Sequence, residues 1–356
     1  MAHMFVPGPV DVAPDVLQVM AKPLLPHRSK EYEAIHRSAA EKAQKIFLTN
    51  NRVLIGTHTG SGMQECGARN LAEKDILCCI NGAFSQRWFD VAQTNGKEPD
   101  RLDVEWGKSV KPDMLAEMLK AKQYEAVTIV HNETSTGVEN PLQDLCKAVK
   151  ETSPDTMILV DAVSSLSGSK IEMDQWGVDF LLTSSQKCLA LPPGLSLVGV
   201  TDRALEKAKT VPDRGWYFDL LRMEKHRIKN STAMTPAVSL VYALDFQLDR
   251  IFEEGLEERF ERHAAMSQRV YDWSLEHGMS PFAEEGARSK TVATINNTRN
   301  MDIPALNAFL MEKYQMRMSN GYGDLKNKTF RIATMGETSM DDIEQLLAAM
   351  EEFLEQ

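Results

Sequence analysis

Between residues 50 and 200 the chain alternates short apolar runs with segments of helical periodicity. The runs are RVLIGT (52–57), DILCCI (75–80), AVTIVH (126–131), MILVDA (157–162), DFLLTS (179–184) and LSLVGV (195–200). Most are separated by stretches of 3.6-residue apolar spacing, such as 111–122 and 141–151. Continuous apolar strands alternating with helices predict an α/β fold: a mainly parallel sheet covered by helices on both faces. From residue 236 onward helical patterns dominate. Thr235 and Pro236 open a helix that stops at Gly255, and a second helix runs over 256–277. Two further strands, 291–296 and 329–334, and helices at 303–314 and 339–355 predict a smaller α+β unit at the C-terminus. The expected organisation is an N-terminal arm over 1–15, a large domain over 16–252 and a small domain over 253–356.

Composition narrows the function classes. A chain of 356 residues with 43% hydrophobic content has enough apolar material for a large core. Its net charge of −11 opposes a nucleic-acid partner, which selects a basic face. No apolar stretch reaches spanning length and no signal-peptide pattern opens the chain, so no membrane association is expected. The five cysteines include no C-x-x-C pair and read as reduced thiols of a cytoplasmic protein. His58, His131 and Cys66 lack metal-ligand spacing, so no metal is expected.

In open α/β sheets ligands collect at the C-terminal ends of the strands. The first strand leads into THTGSGMQE, where Thr59, Gly60, Ser61 and Gly62 turn into a helix. Unpaired N–H groups at such a start suit a phosphate, although a Gly-Ser-Gly turn is also a plain loop. The second strand leads to Phe84, an aromatic plate at the sheet mouth or an ordinary core residue. The third ends in the crowded polar turn HNETSTG, with Thr134. The fourth ends in Asp161, which fits either a buried carboxylate that needs a partner or a helix N-cap before VSSL. The fifth leads into SSQKCLALPPG, with Lys187 just before a Pro-Pro-Gly turn. A phosphate cradle, an aromatic plate, a carboxylate and a lysine together suit one ligand, pyridoxal 5′-phosphate. The carboxylate keeps the ring nitrogen protonated, and the lysine forms a Schiff base and carries a proton.

These residues lie in motifs that resemble the class V aminotransferases. The stretch VDAVSSLSGSKIEMDQWGVDFLLTSSQKCLALPPGLSLVGV is most similar to the alanine/serine–glyoxylate (or –pyruvate) branch. The similarity continues through PGPVDVAPDVL, TGSGMQE, NGAFSQRW, HNETSTGV, RGWYFDL, TPAVSL and KTFRIATMG. The resemblance implies fold type I of pyridoxal-phosphate enzymes and a homodimer with active sites at the interface. It makes Lys187 the Schiff-base lysine and Asp161 the partner of the pyridine nitrogen. Val163 and Phe84 would cover the two ring faces, and Thr134 would bond the phenolic oxygen. Thr59, Gly60, Ser61 and Gln186 would hold the phosphate, with Thr235 added by the partner subunit. Arg331 would grip the substrate α-carboxylate, and the Gly8 backbone would line the substrate pocket; Trp216 and Tyr217 fit either packing residues or residues that narrow that pocket.

The implied reaction is ping-pong transfer of an amino group from alanine or serine to glyoxylate or pyruvate. Size is the argument for small substrates: Arg331 is the one arginine the resemblance places on the substrate, with Arg28, Arg87 and Arg214 as other cations. The competing readings are a 2-aminoethylphosphonate–pyruvate transaminase, whose donor lacks the α-carboxylate, and a cysteine desulfurase-like lyase. The latter needs a mobile cysteine ahead of the arginine, and no cysteine follows Cys188. A non-catalytic dimer that kept the fold as a binding module is the third.

Overall fold

A computed structural model of the protein describes residues 3–355. The strands run in chain order as β1 (His3–Phe5), β2 (Arg52–Gly56), β3 (Asp75–Ile80), β4 (Glu98–Asp103) and β5 (Ala126–Val130). Then come the short hairpin β6 (Asn132–Glu133) and β7 (Val138–Glu139), then β8 (Met157–Asp161), β9 (Phe180–Ser184) and β10 (Ser196–Val200). Seven of these form one sheet in the order β2-β10-β9-β8-β5-β3-β4. Every neighbouring pair is parallel except those made by β10, which is antiparallel to both β2 and β9. The link from β9 to β10 explains the exception. It spans residues 185–195, too few for the helical crossover that a parallel return requires.

Side chains along each strand alternate between two cores. Val53, Ile55, Leu77, Cys79, Val127 and Ile129 face one layer, with helices Lys30–Ile46, Pro112–Ala121, Leu142–Thr152 and Val238–Glu254. Leu54, Ile76, Cys78 and Ile80 face the other, with helices Gly60–Leu71, Ala83–Thr94 and Asp202–Thr210. Burial on both faces is why these strands read as unbroken apolar runs. Strand β4 was invisible to that criterion. Its sequence, EPDRLD, buries only Leu102, because it is the sheet's edge, where charge and proline discourage further pairing.

A second sheet has the order β1-β13-β14-β12-β11, with β11 (Ser280–Pro281), β12 (Val292–Asn296), β13 (Met316–Asn320) and β14 (Thr329–Ala333). The expected strands correspond to β12 and β14. Strand β13 reads MRMSN, buries only Met316 and Met318, and carries too little β-branched character to be seen in the sequence. Strand β1 pairs parallel with β13, so the residues read as an arm supply an edge of this sheet. Helices Leu256–Glu276, Ile303–Tyr314 and Met340–Leu354 cover the sheet around Phe330, Ile332 and Trp273. Gly255, at φ +93°, separates the last helix of the larger core from the first of the smaller.

The two halves meet at a charged junction. Arg259, only 1% exposed, lies within 3.3 Å of Glu337 and also pairs with Glu254. Its other contact is the Cys188 carbonyl, at 2.8 Å. Removing Arg259 leaves half-buried Glu254 to Arg262 and Glu337 to Arg250, and leaves the Cys188 carbonyl without this donor. Arg259→Met should therefore lower unfolding stability by about 1–3 kcal/mol, measured by urea denaturation at neutral pH.

Candidate active site

The C-terminal ends of β2, β3, β5, β8 and β9 open onto a cleft of about 280 Å³. Thr59, Gly60, Ser61, Phe84, Thr134, Asp161, Val163, Gln186 and Lys187 all line it, so nine residues expected at one site are brought to one site. The strand-end rule positions them: all nine stand at or just after the C-terminal ends of these five strands.

Asp161 ends β8 and is buried. One carboxylate oxygen accepts the Val163 N–H at 2.8 Å and the other accepts the Gln64 amide at 2.7 Å. Burial nevertheless dominates and raises its pKa to about 6, against the lowering effect of those two hydrogen bonds. Lys187 reaches the cleft from the β9–β10 link. Its ammonium donates to the Pro7 carbonyl. A Cβ on Gly8 would stand 2.7 Å from Lys187 Nζ, so only a glycine fits against this side chain. Burial lowers the lysine to about 8, helped by the nearby charge of Arg331.

At the other end of the cleft, Thr59 caps the helix Gly60–Leu71, its hydroxyl accepting from Gly62 N–H at 3.3 Å. The first N–H groups of that helix have no intrahelical acceptor. A Cβ at Gly60 would meet Val163 at 2.6 Å, so the glycine lets the helix start press against the wall. Phe84 owes its position to Glu133, which is fully buried. The Glu133 carboxylate accepts the N–H groups of Phe84 and Ser85 at 3.1 and 2.9 Å, capping the helix Ala83–Thr94 from outside. The polar crowding of HNETSTG was the sign of this bracket. Thr134 donates to Ser164 Oγ at 2.8 Å.

Arg331, in β14, is buried and comes to the same region from the second sheet. It donates to the Thr134 carbonyl at 3.2 Å and to the Asn320 carbonyl at 3.1 Å. Its guanidinium lies 5.5 Å from the Tyr322 ring, which in turn packs on Phe84 at 5.3 Å. Burial lowers its pKa to about 10.

Thr235 is not among these residues. It lines a separate small cavity with Thr57, His58, Tyr217 and Ser231. Trp216 and Tyr217 are exposed and stand outside the cleft. Of the other candidate cations, Arg28 donates to Ser231 and Thr232, and Arg214 pairs with Asp219 at 3.3 Å. Arg87 alone of the three lines the cleft. The sequence reading missed Gln64, Glu133 as the bracket of Phe84, Ser184 and Tyr322. Gln64 falls one helical turn after Gly60, a spacing that could have drawn notice.

Comparison with known proteins places this geometry. The crystal structure of alanine–glyoxylate aminotransferase from a Nostoc species matches with a TM-score of 0.93 at 28% identity, covering 99% of this chain and 95% of that one. An uncharacterized aminotransferase of Methanocaldococcus jannaschii is 36% identical over 353 residues, 98% of this chain and 91% of that protein. The L-aspartate–glyoxylate aminotransferase of Paracoccus denitrificans is 31% identical over 340 residues, covering 94% and 86%. The fold is therefore that of the fold type I pyridoxal-phosphate aminotransferases. Within that class, residues 19–346 match the family model for class-V aminotransferases, and the chain belongs to this family.

The residues present fit the family's cofactor. Three polar atoms at or beside the cleft, Gln64 Oε1, Asn132 Oδ1 and Ser184 Oγ, are buried without a partner, a cost that a polar ligand would relieve. Asp161 carries a carboxylate that needs a cationic neighbour, and Lys187 an amine held near neutrality. The raised Asp161 pKa gives a test in the cofactor-free protein. The folded state holds that proton to higher pH than the unfolded chain, so wild type loses stability as pH rises from about 4 to about 6. Asp161→Asn lacks this loss. It should be the more stable of the two above about pH 6, by up to about 3 kcal/mol, with the gap closing near pH 4 in thermal or urea melts.

Proposed function

We propose that this class-V aminotransferase moves the amino group of a small amino acid, alanine or serine, to a small 2-oxo acid, glyoxylate or pyruvate. The observation that carries the reading is that Asp161 and Lys187 line one cleft while Arg331, in the middle of β14, donates to the carbonyl of Thr134 in its wall. The relatives support the acceptor: glyoxylate occurs in the names of both the Nostoc and the Paracoccus enzymes, whereas their donors differ.

When bound, pyridoxal phosphate supplies the carbonyl that takes up the amino group and a protonated ring that draws electrons from the substrate α-carbon. The chain's residues do the rest. Asp161, ionised beside a cationic ring, would pair with the ring nitrogen. Val163 and Phe84 would cover the ring. Thr59, Gly60, Ser61 and Gln186 would hold the phosphate, and Thr134 the phenolic oxygen. Lys187 Nζ would hold the cofactor covalently in the resting protein and, once freed by the incoming amine, would carry the substrate α-proton to the carbon that keeps the amino group. Arg331 fixes the α-carboxylate by its planar fork, which turns the scissile C–H bond toward the lysine. The Gly8 backbone leaves room beside Nζ. Two such half-reactions in sequence give ping-pong kinetics.

In this reading the protein is a cytoplasmic homodimer, and Thr235 reaches the partner's phosphate site. The exposed apolar surface of Trp216, Tyr217 and Ile228, close to that segment in sequence, supports a covering subunit. No helix among the described residues is long and apolar enough to cross a membrane. A buried Arg331 favours a carboxylate-bearing donor over aminoethylphosphonate. The five cysteines are all buried, which disfavours desulfurase chemistry.

Stopped-flow spectra of the cofactor-loaded protein mixed with each amino acid in turn test the assignment. Alanine or serine should convert the aldehyde form to the amine form. If no amino acid does so, the protein is not a transaminase of amino acids. Lys187→Ala should remain folded and lose the absorbance band of covalently held cofactor. A normal band in that variant would remove Lys187 from its role. Arg331→Ala should lower kcat/KM for carboxylate donors on the order of 10–100-fold, the worth of a charge-assisted hydrogen bond. An unchanged kcat/KM would place Arg331 outside the substrate site.

A further inference from the structure

Arg87 stands in the second turn of helix Ala83–Thr94, and its side chain lines the cleft. Its guanidinium donates to Ser61 Oγ at 3.3 Å and lies 4.7 Å from the Phe84 ring centre. Among the described residues no carboxylate pairs with it. Several other arginines are paired with carboxylates, whereas Arg28 and Arg331, like Arg87, bond only uncharged groups among the described residues. Arg101, which covers the Phe89 ring from 4.7 Å, forks onto the two oxygens of Asp103 at 2.7 and 2.9 Å. Arg250, Arg259 and Arg262 all pair with glutamates. A hydroxyl and a ring face do not neutralise a guanidinium, whose fork is shaped for two oxyanion oxygens.

The charge is close to the chemistry. It acts on both Asp161 and Lys187, lowering the pKa of each. It also shares Ser61 with the helix start at Gly60, where the first N–H groups point outward without acceptors. A hydroxyl, two backbone donors and an unpaired cation therefore surround one end of a cleft in a chain of net charge −11.

We propose that Arg87 is an oxyanion-binding residue of the active-site cleft. Its guanidinium closes over an anionic group seated at Ser61. The group is either the phosphate of the cofactor or the distal carboxylate of a dicarboxylic substrate. In the second case the enzyme's substrate class extends to acidic donors such as aspartate. The proposal rests on the cofactor reading above, and the experiment keeps the two apart.

Arg87→Gln and Arg87→Lys are compared with wild type in two measurements. The first is the equilibrium affinity of cofactor-free protein for pyridoxal phosphate, for pyridoxal and for inorganic phosphate. The second is the ratio of kcat/KM for aspartate to that for alanine. If Arg87 holds the phosphate, Arg87→Gln weakens pyridoxal phosphate and inorganic phosphate at least tenfold and leaves pyridoxal unchanged. If it holds a distal carboxylate, cofactor affinity is unchanged and the aspartate-to-alanine ratio falls at least tenfold. Arg87→Lys recovers part of either loss, because the positive charge remains. Unchanged phosphate affinity together with an unchanged substrate ratio in Arg87→Gln overturns the proposal. Unaltered pyridoxal affinity shows that the variant is folded. Wild-type protein that binds neither form of the cofactor would instead overturn the cofactor reading, and inorganic phosphate alone would then decide on Arg87.

Discussion

Lys187 occupies the mouth of the sheet because it stands three residues after the end of β9, on a link to β10 too short to hold a helix. Every earlier pair of neighbouring strands in the sheet can be parallel, since a helix carries the chain back each time. After β9 the chain has only residues 185–195 in which to turn, and Pro192, Pro193 and Gly194 fix that turn. The polypeptide must therefore stay at the C-terminal edge, and β10 must descend antiparallel between β9 and β2. The lysine is held on the side where the helices begin and the glycines of residues 60–62 lie.

The same edge explains the electrostatics. Desolvation moves Asp161 and Lys187 in opposite directions, up to about 6 and down to about 8. Both shifts oppose charge, and they leave a carboxyl and an amine poised near the pH at which a proton carrier works best. Burial alone would only neutralise them. The Val163 N–H and the Gln64 amide keep the carboxylate form accessible, so a cationic ring can restore it. Arg331 follows a related logic. Its two protein acceptors are uncharged carbonyls, which orient the fork without satisfying its charge.

Much of this was legible in the sequence. The strands buried on both faces announced themselves as apolar runs, and their ends led directly to Asp161, Lys187 and the turn at Gly60. The parts that stayed hidden share a physical cause: they are made by pairs of residues remote in sequence. Gln64 matters because it meets Asp161 across 97 positions, and Glu133 because it caps a helix that begins at Ala83. The edge strand β4 and the inner strand β13, which is buried on one face only, lack the two-sided burial that writes a pattern. Arg87 could be named as a cation, but only the fold separates it from Arg28 and Arg214.

The start of the chain has a structural consequence. Strand β1 is stitched to β13 in the second sheet, and its last residue, Phe5, is buried in that sheet's core. Only Val6 intervenes before Pro7, whose carbonyl receives the lysine amine. The first few residues thus join the smaller sheet, through a turn closed by the Gly8 N–H on the Val6 carbonyl, to the carbonyl that meets the reactive nitrogen, so the edge of one sheet and the reactive end of the other share a single short segment.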